Sequence, residues 1–193
     1  MGRFIFGMMQ SLDGYIAGPS GGPDSNGVLS SQAAAEMPPP HPSTFRHFTE
    51  HIRSLDGILY GRRLYEVMTY WDEDKPDWDE VDHEFARAWR PRPKWVASRT
   101  LKSVGPNATL IQGDVIDYVR SLKSERKGDL EVGGAEFAHV LSTAGLIDEY
   151  RLYLRPYVLG GGKPFFAGPV PPLRLLKHEP IGEDTVRLTY VPA

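Results

Sequence analysis

The pair Gly133-Gly134 sits where an apolar run, Leu130 to Val132, gives way to a helical pattern carrying Phe137, Val140 and Leu141. Two glycines at a strand-to-helix junction let a backbone approach another group closely, because no Cβ intervenes. The helix that follows aims unpaired N–H groups and the positive end of its dipole at the turn, where anions bind well. The same residues also suit a tight turn with no ligand, and the pair alone does not choose between the two. Gly61-Arg62-Arg63-Leu64 repeats the pattern, with two guanidiniums in the first helical turn. Arginine there opposes the dipole unless an anion is present, and its planar fork suits phosphate. Ser98-Arg99-Thr100 places two hydroxyls around a guanidinium at the end of a third apolar run, a grouping that can grip a phosphate monoester.

Acid–base candidates are fewer. Asp13 lies in Ser11-Leu-Asp-Gly14, where it is either a proton donor or the carboxylate of an Asp-Gly turn. Tyr15, Tyr153, His41 and His47 are further donors to consider. Trp71, Trp78 and Trp89 read as packing residues, with the first two, in a loop, as the alternative substrate platforms. The chain has no cysteine, which removes disulfides, thiolate nucleophiles and cysteine-bound zinc. Its histidines form no supported metal site; His47 and His51 are four apart but lack the rest of a zinc constellation. No Walker lysine loop is present, so phosphoryl transfer is not indicated. The net charge of −3 gives no field to recruit nucleic acid or an anionic membrane. No apolar run approaches 18 residues, and the N-terminal run is too short for a signal peptide, so a cytoplasmic protein is expected.

These groups need a scaffold that brings strand ends together. At 193 residues the chain is read as a single domain over 1–193. Strands are expected at 3–10, 56–60, 94–98, 109–111 and 129–133, alternating with helices at 44–52 (Ser43 as N-cap), 62–68, 79–89, 114–122 and 135–142. The Gly18–Pro23 stretch is a loop, and residues 24–42 carry little signal beyond a helical turn over 30–37. A long strand over 149–159 alternates on a two-residue period, and 173–179 with 185–191 reads as a terminal hairpin. Strand–helix alternation implies an α/β fold: a mostly parallel sheet, helices on both faces, and an antiparallel C-terminal edge. Ligands of such sheets bind at the carboxyl ends of the strands, where Asp13, Arg62, Ser98 and Gly133 all fall. The apolar 149–159 strand, read as an exposed edge, points to a homodimer through the C-terminal strands.

In this order, Ser11-Leu-Asp-Gly-Tyr-Ile-Ala17, Tyr60-Gly-Arg-Arg-Leu-Tyr-Glu66, Ala97-Ser-Arg-Thr100, Val132-Gly-Gly-Ala135 and Gly145-Leu-Ile-Asp-Glu-Tyr150 with Leu159-Gly-Gly-Gly-Lys163 resemble the dihydrofolate reductase-like family. Within it they are most similar to the reductase domain of bifunctional riboflavin-biosynthesis deaminase–reductases. The resemblance implies a dihydrofolate reductase-like three-layer fold and an NADPH-dependent reductase acting on a small heterocyclic or carbonyl compound. It places Gly61, Arg62, Arg63 and Leu64 on the cofactor phosphates, and Gly133, Gly134, Ala135 and Glu136 around the pyrophosphate. Ser98 and Arg99 would meet the ribose 2′-phosphate, and Ala17 and Gly18 the nicotinamide. It also implies a cis peptide between Gly133 and Gly134. Glu136 puts a carboxylate near that pyrophosphate, so its side chain is expected to turn away, toward the helix's own first-turn N–H groups. True dihydrofolate reductases carry a carboxylate at the start of the first helix; Thr44 stands there in this chain, which argues against dihydrofolate as substrate. No deaminase domain accompanies the reductase pattern, which suits a stand-alone reductase. The competing reading is a module that binds NADPH without turnover.

Overall fold

A computed structural model describes residues 2–22 and 30–193; Pro23, which closes the expected loop, and residues 24–29 lie outside the described residues. The elements are β1 (Phe4–Gln10), β2 (Tyr15–Ala17), α1 (Ser31–Glu36), α2 (Pro42–Ser54), β3 (Gly57–Gly61), α3 (Arg62–Met68), a 3-10 turn (Thr69–Asp72), α4 (Glu80–Trp89), β4 (Lys94–Ala97), β5 (Ala108–Ile111), α5 (Val115–Glu125), β6 (Leu130–Gly133), α6 (Ala135–Thr143), β7 (Glu149–Leu154), β8 (Lys163–Pro164), β9 (Leu173–Ile181) and β10 (Thr185–Pro192). Eight strands form one sheet in the order β5-β4-β3-β6-β1-β7-β10-β9. The first six run parallel, and β10 and β9 close the sheet as an antiparallel hairpin. β2 and β8 pair separately beyond the end of β1. This is the α/β architecture the alternation implies.

Side-chain alternation on the strands sorts two cores. Phe4, Phe6, Leu59, Trp95, Leu130, Val132 and Tyr150 point to the face covered by α5 and α6. Ile58, Tyr60 and Val96 point to the opposite face, where Tyr65, Phe85 and Trp89 close over them. Trp71 and Trp78 belong to that second layer: their rings lie 5.0 Å apart, and Trp71 stacks on Phe85 at 4.7 Å. Local chemistry sets the helix starts. Asp114 accepts from the N–H groups of Ile116 and Asp117, and Asp79 with Asp82 forms a reciprocal cap on α4.

Three expectations change. α2 begins two residues earlier than Ser43 as N-cap implies: Pro42 takes the first helical position, where its fixed φ fits and its missing N–H costs nothing, and the His41 ring accepts from the Ser43 N–H. The 149–159 strand stops at Leu154, since Pro156 lacks a ladder donor. It is also interior rather than an edge, paired to β1 on one side and β10 on the other. The exposed edge is β9, with Leu175 and Leu176 in solvent. Finally, the Gly133–Gly134 peptide is trans; Gly134 turns the chain through a φ of +101° instead. Among the described residues no helix is long and apolar enough to cross a membrane, and no cluster of three metal-ligating side chains occurs.

Candidate functional site

Because β4, β3, β6 and β1 are neighbours and parallel, their carboxyl ends form one continuous edge. That edge carries Ser98, Gly61–Arg62, Gly133–Gly134 and the Ser11–Asp13 turn in spatial order. Interstrand steps of about 4.8 Å spread the four over roughly 14 Å, a row that suits an extended ligand better than a compact one.

Two glycines make its centre. A Cβ on Gly133 would lie 2.6 Å from the Tyr60 ring and 2.9 Å from a Leu64 methyl, and a Cβ on Gly61 would lie 3.1 Å from the Cβ of Phe137. Each junction is therefore bare where the other packs against it, and the first turns of α3 and α6 come side by side. Gly134 adds a conformation that L residues rarely take. Arg62 donates to Thr100 Oγ1 at 2.6 Å and to Glu66 at 2.8 Å, which ties α3 to the end of β4. Ser98 Oγ accepts from the N–H groups of Thr100 and Leu101, shaping that end into a turn. Arg99 is exposed and has no hydrogen bond or ion pair among the described residues.

The Glu136 carboxylate meets its own first-turn N–H, as expected, and two cations as well. Lys163 Nζ lies 2.9 Å from one carboxylate oxygen and Arg63 Nη1 4.0 Å from the other. Partial burial opposes the charge on Glu136, yet Lys163, its own backbone N–H and Arg63 hold its pKa below the ordinary value. Lys163 is anchored beside Ala17, its pairing partner across β2 and β8. The structure thus brings Ala17, Gly61–Leu64 and Gly133–Glu136 together, with Ser98 and Arg99 one strand further along.

Asp13 has a defined job. Its carboxylate accepts from the N–H of Leu159 at 3.1 Å and of Gly160 at 2.7 Å. A hydrogen bond from Ser11, then these N–H groups, hold its pKa below the usual carboxylate range. Such a group clasps the 159–160 turn and is a poor proton donor at neutral pH. Tyr153 and His47 are brought together, with Nε2 3.4 Å from the phenol oxygen and Arg187 donating to that oxygen at 3.4 Å. Burial, then the Arg187, His51 and Arg151 charges, push His47 down to about 4 despite Glu179 nearby. Tyr15 and His41 do not join this pair: His41 bonds Ser43 Oγ at the start of α2.

No local pattern pointed to the partner of Thr44. Asp184, at the hairpin turn 140 residues away, accepts from Thr44 Oγ1 at 2.6 Å, the His41 N–H at 3.0 Å, Arg155 Nη2 at 3.0 Å and Thr185 Oγ1 at 3.0 Å. A carboxylate has about four acceptor sites, so this one is fully used. Arg155, 3% exposed, also donates to the carbonyls of Pro38 and Pro39. Neighbouring positions on β7 continue the polar row: Arg151 faces His51 and Glu149, and His51 Nε2 lies 2.7 Å from Glu131. The only legible signal was the two-residue spacing of Glu149, Arg151, Tyr153 and Arg155.

The model of the RibD C-terminal domain family matches residues 4–187. The uncharacterized protein YyaP of Bacillus subtilis (strain 168) is 31% identical over 168 residues, 85% of this chain and 80% of that protein. Among solved structures, a protein of Shewanella sp. PV-4 described under riboflavin biosynthesis superposes with a TM-score of 0.68 at 23% identity, covering 99% of each chain. Dihydrofolate reductase of Enterococcus faecalis, solved with NADP(H), superposes at 0.60 and 14% identity over 98% of this chain and 95% of its own. The last two likenesses establish the dihydrofolate reductase-like fold.

Proposed function

The chain belongs to the RibD C-terminal domain family, and we propose that it is an NADPH-dependent reductase of a small heterocyclic or carbonyl compound. The observation that carries this reading is the reciprocal packing of Gly61 and Gly133, which sets two helix starts and their cations along one strand edge. A side chain at Gly133 would collide with Tyr60 and Leu64 and one at Gly134 would strain the backbone, so the glycines let the two helix starts lie side by side, and paired helix starts fit a dinucleotide's diphosphate. Bound there, NADPH would supply the hydride. The chain's own residues bind and orient. Backbone N–H groups at the start of α6, with Arg62 and Arg63, meet the phosphates. Ser98 and Arg99 meet the 2′-phosphate and so favour NADPH over NADH. Ala17 and Gly18 border the nicotinamide, and Asp13 fixes the loop behind them.

The substrate is read as something other than a pterin. At the α2 start Thr44 is buried and bonded to Asp184, whose carboxylate has no acceptor site left. Association through the exposed edge β9 would make a homodimer.

Calorimetric titration of NADPH and NADH into the protein and into Arg99→Ala and Arg62→Ala tests the cradle. NADPH is expected to bind more tightly than NADH, and Arg99→Ala to weaken NADPH alone, by about tenfold for one lost charge-assisted contact. Binding of neither nucleotide would sink the reductase reading. One observation favours binding without turnover: both carboxylate oxygens of Asp13 are engaged by the N–H groups of Leu159 and Gly160 rather than left for a substrate. Steady NADPH oxidation with any carbonyl or imine compound would exclude that alternative.

A further inference from the structure

We infer that Lys163 is a diphosphate-binding residue of the cradle and that Glu136 is its stand-in partner in the free protein. This rests on the dinucleotide reading above. The backbone of Lys163 is fixed beside Ala17, and the next residue but one, Phe165, donates its N–H to the Gly14 carbonyl at 2.9 Å. Its side chain leaves that strand and crosses to the first turn of α6, where Nζ meets Glu136 at 2.9 Å. One ammonium thus spans the gap between the Ala17 strand and the Gly-Gly bend.

The pair is a weak one. The side chains of Lys163 and Glu136 are 34% and 59% exposed, and Arg63, on the other oxygen, is 86% exposed. Ion pairs this wet contribute little. A lysine contact to a diphosphate is charge-assisted on both sides and stronger. Glu136 keeps a partner when the lysine leaves, since its own first-turn N–H already meets the carboxylate and the α6 dipole favours it there. Exchange needs only side-chain rotation, because β8 holds the lysine backbone in place. The Glu136 carboxylate then repels the incoming anion in proportion to how long it stays, so it acts against binding rather than for it.

Calorimetry with NADPH, and separately with inorganic pyrophosphate, on Lys163→Ala, Lys163→Arg and Glu136→Gln decides the matter, with circular dichroism showing that each variant is folded. Lys163→Ala is expected to weaken NADPH about tenfold and to flatten the salt dependence of binding; Lys163→Arg should restore most of the affinity. Glu136→Gln should tighten it severalfold. Equal NADPH affinity for the parent protein and Lys163→Ala would overturn the assignment of Lys163. Weakening by Glu136→Gln would overturn the stand-in role. Lys163-dependent binding of pyrophosphate without binding of either dinucleotide would keep the assignment and remove the cofactor reading. Binding of neither probe would remove both.

Discussion

The two faces of β7 are built on opposite principles. Tyr150 and Leu152 enter the apolar layer under α5 and α6, where Phe6 packs on Tyr150 and Phe165. Glu149, Arg151 and Tyr153 form the other face, continued by Arg155 just past the strand, each buried or half-buried and each answered by a polar or charged group from elsewhere. The first face is held by area and shape and tolerates no loss of volume. The second is held by pairing, and tolerates the loss of a whole pair better than the loss of half of one.

Three substitutions probe that contrast. On the apolar face Phe6→Ala leaves a cavity between Tyr150 and Phe165 and should cost about 4 kcal/mol in urea unfolding. On the polar face Asp184→Leu strands Arg155 and should cost about 3 kcal/mol. Adding Arg155→Met should recover the part of that loss due to the stranded guanidinium, though not the part due to the His41, Thr44 and Thr185 donors, whereas no second substitution of Phe165 should rescue Phe6→Ala. If the Arg155→Met double variant is no better than Asp184→Leu alone, the two faces do not differ as described. The smallest effect is a titration. His47 has its folded pKa lowered to about 4 from an ordinary 6.5. The unfolded chain therefore binds the proton more readily. The stabilisation is complete above about pH 6.5 and is lost as pH falls toward 4. With the His47 ring only partly buried, screening reduces this to on the order of 1 kcal/mol. His47→Gln should flatten the thermal-stability profile between pH 6.5 and 4 by that amount.

Those contrasts also mark what could be read from the chain itself. Apolar alternation and the strand–glycine–helix junctions at Gly61 and Gly133 exposed the parallel sheet and the row of candidate groups on its edge, because both signals are local. The end of β7 was hidden because Arg155 keeps the two-residue period going past Leu154. The contact of Asp184 with Thr44 was invisible for a different reason: a carboxylate in a hairpin turn looks like any turn residue until the hairpin is docked on α2. Lys163 sat inside a recognised motif, yet only its pairing with Ala17 shows which way its ammonium can reach. The expected cis bond failed on a detail of one residue, since a positive φ at Gly134 achieves the turn with an ordinary peptide.

The position of β1 has a consequence for how the chain is made. It precedes every other strand of the sheet in the chain and lies at the sheet's centre, and its partners are residues 130–132 and 149–154. At about 5–20 residues per second, Phe4, Ile5 and Phe6 wait on the order of ten seconds for both neighbours. Through that interval the growing molecule offers an unpaired apolar ribbon to anything nearby. Yield in the cell should thus depend on translation speed and on chaperone supply more than on the equilibrium stability of the finished protein.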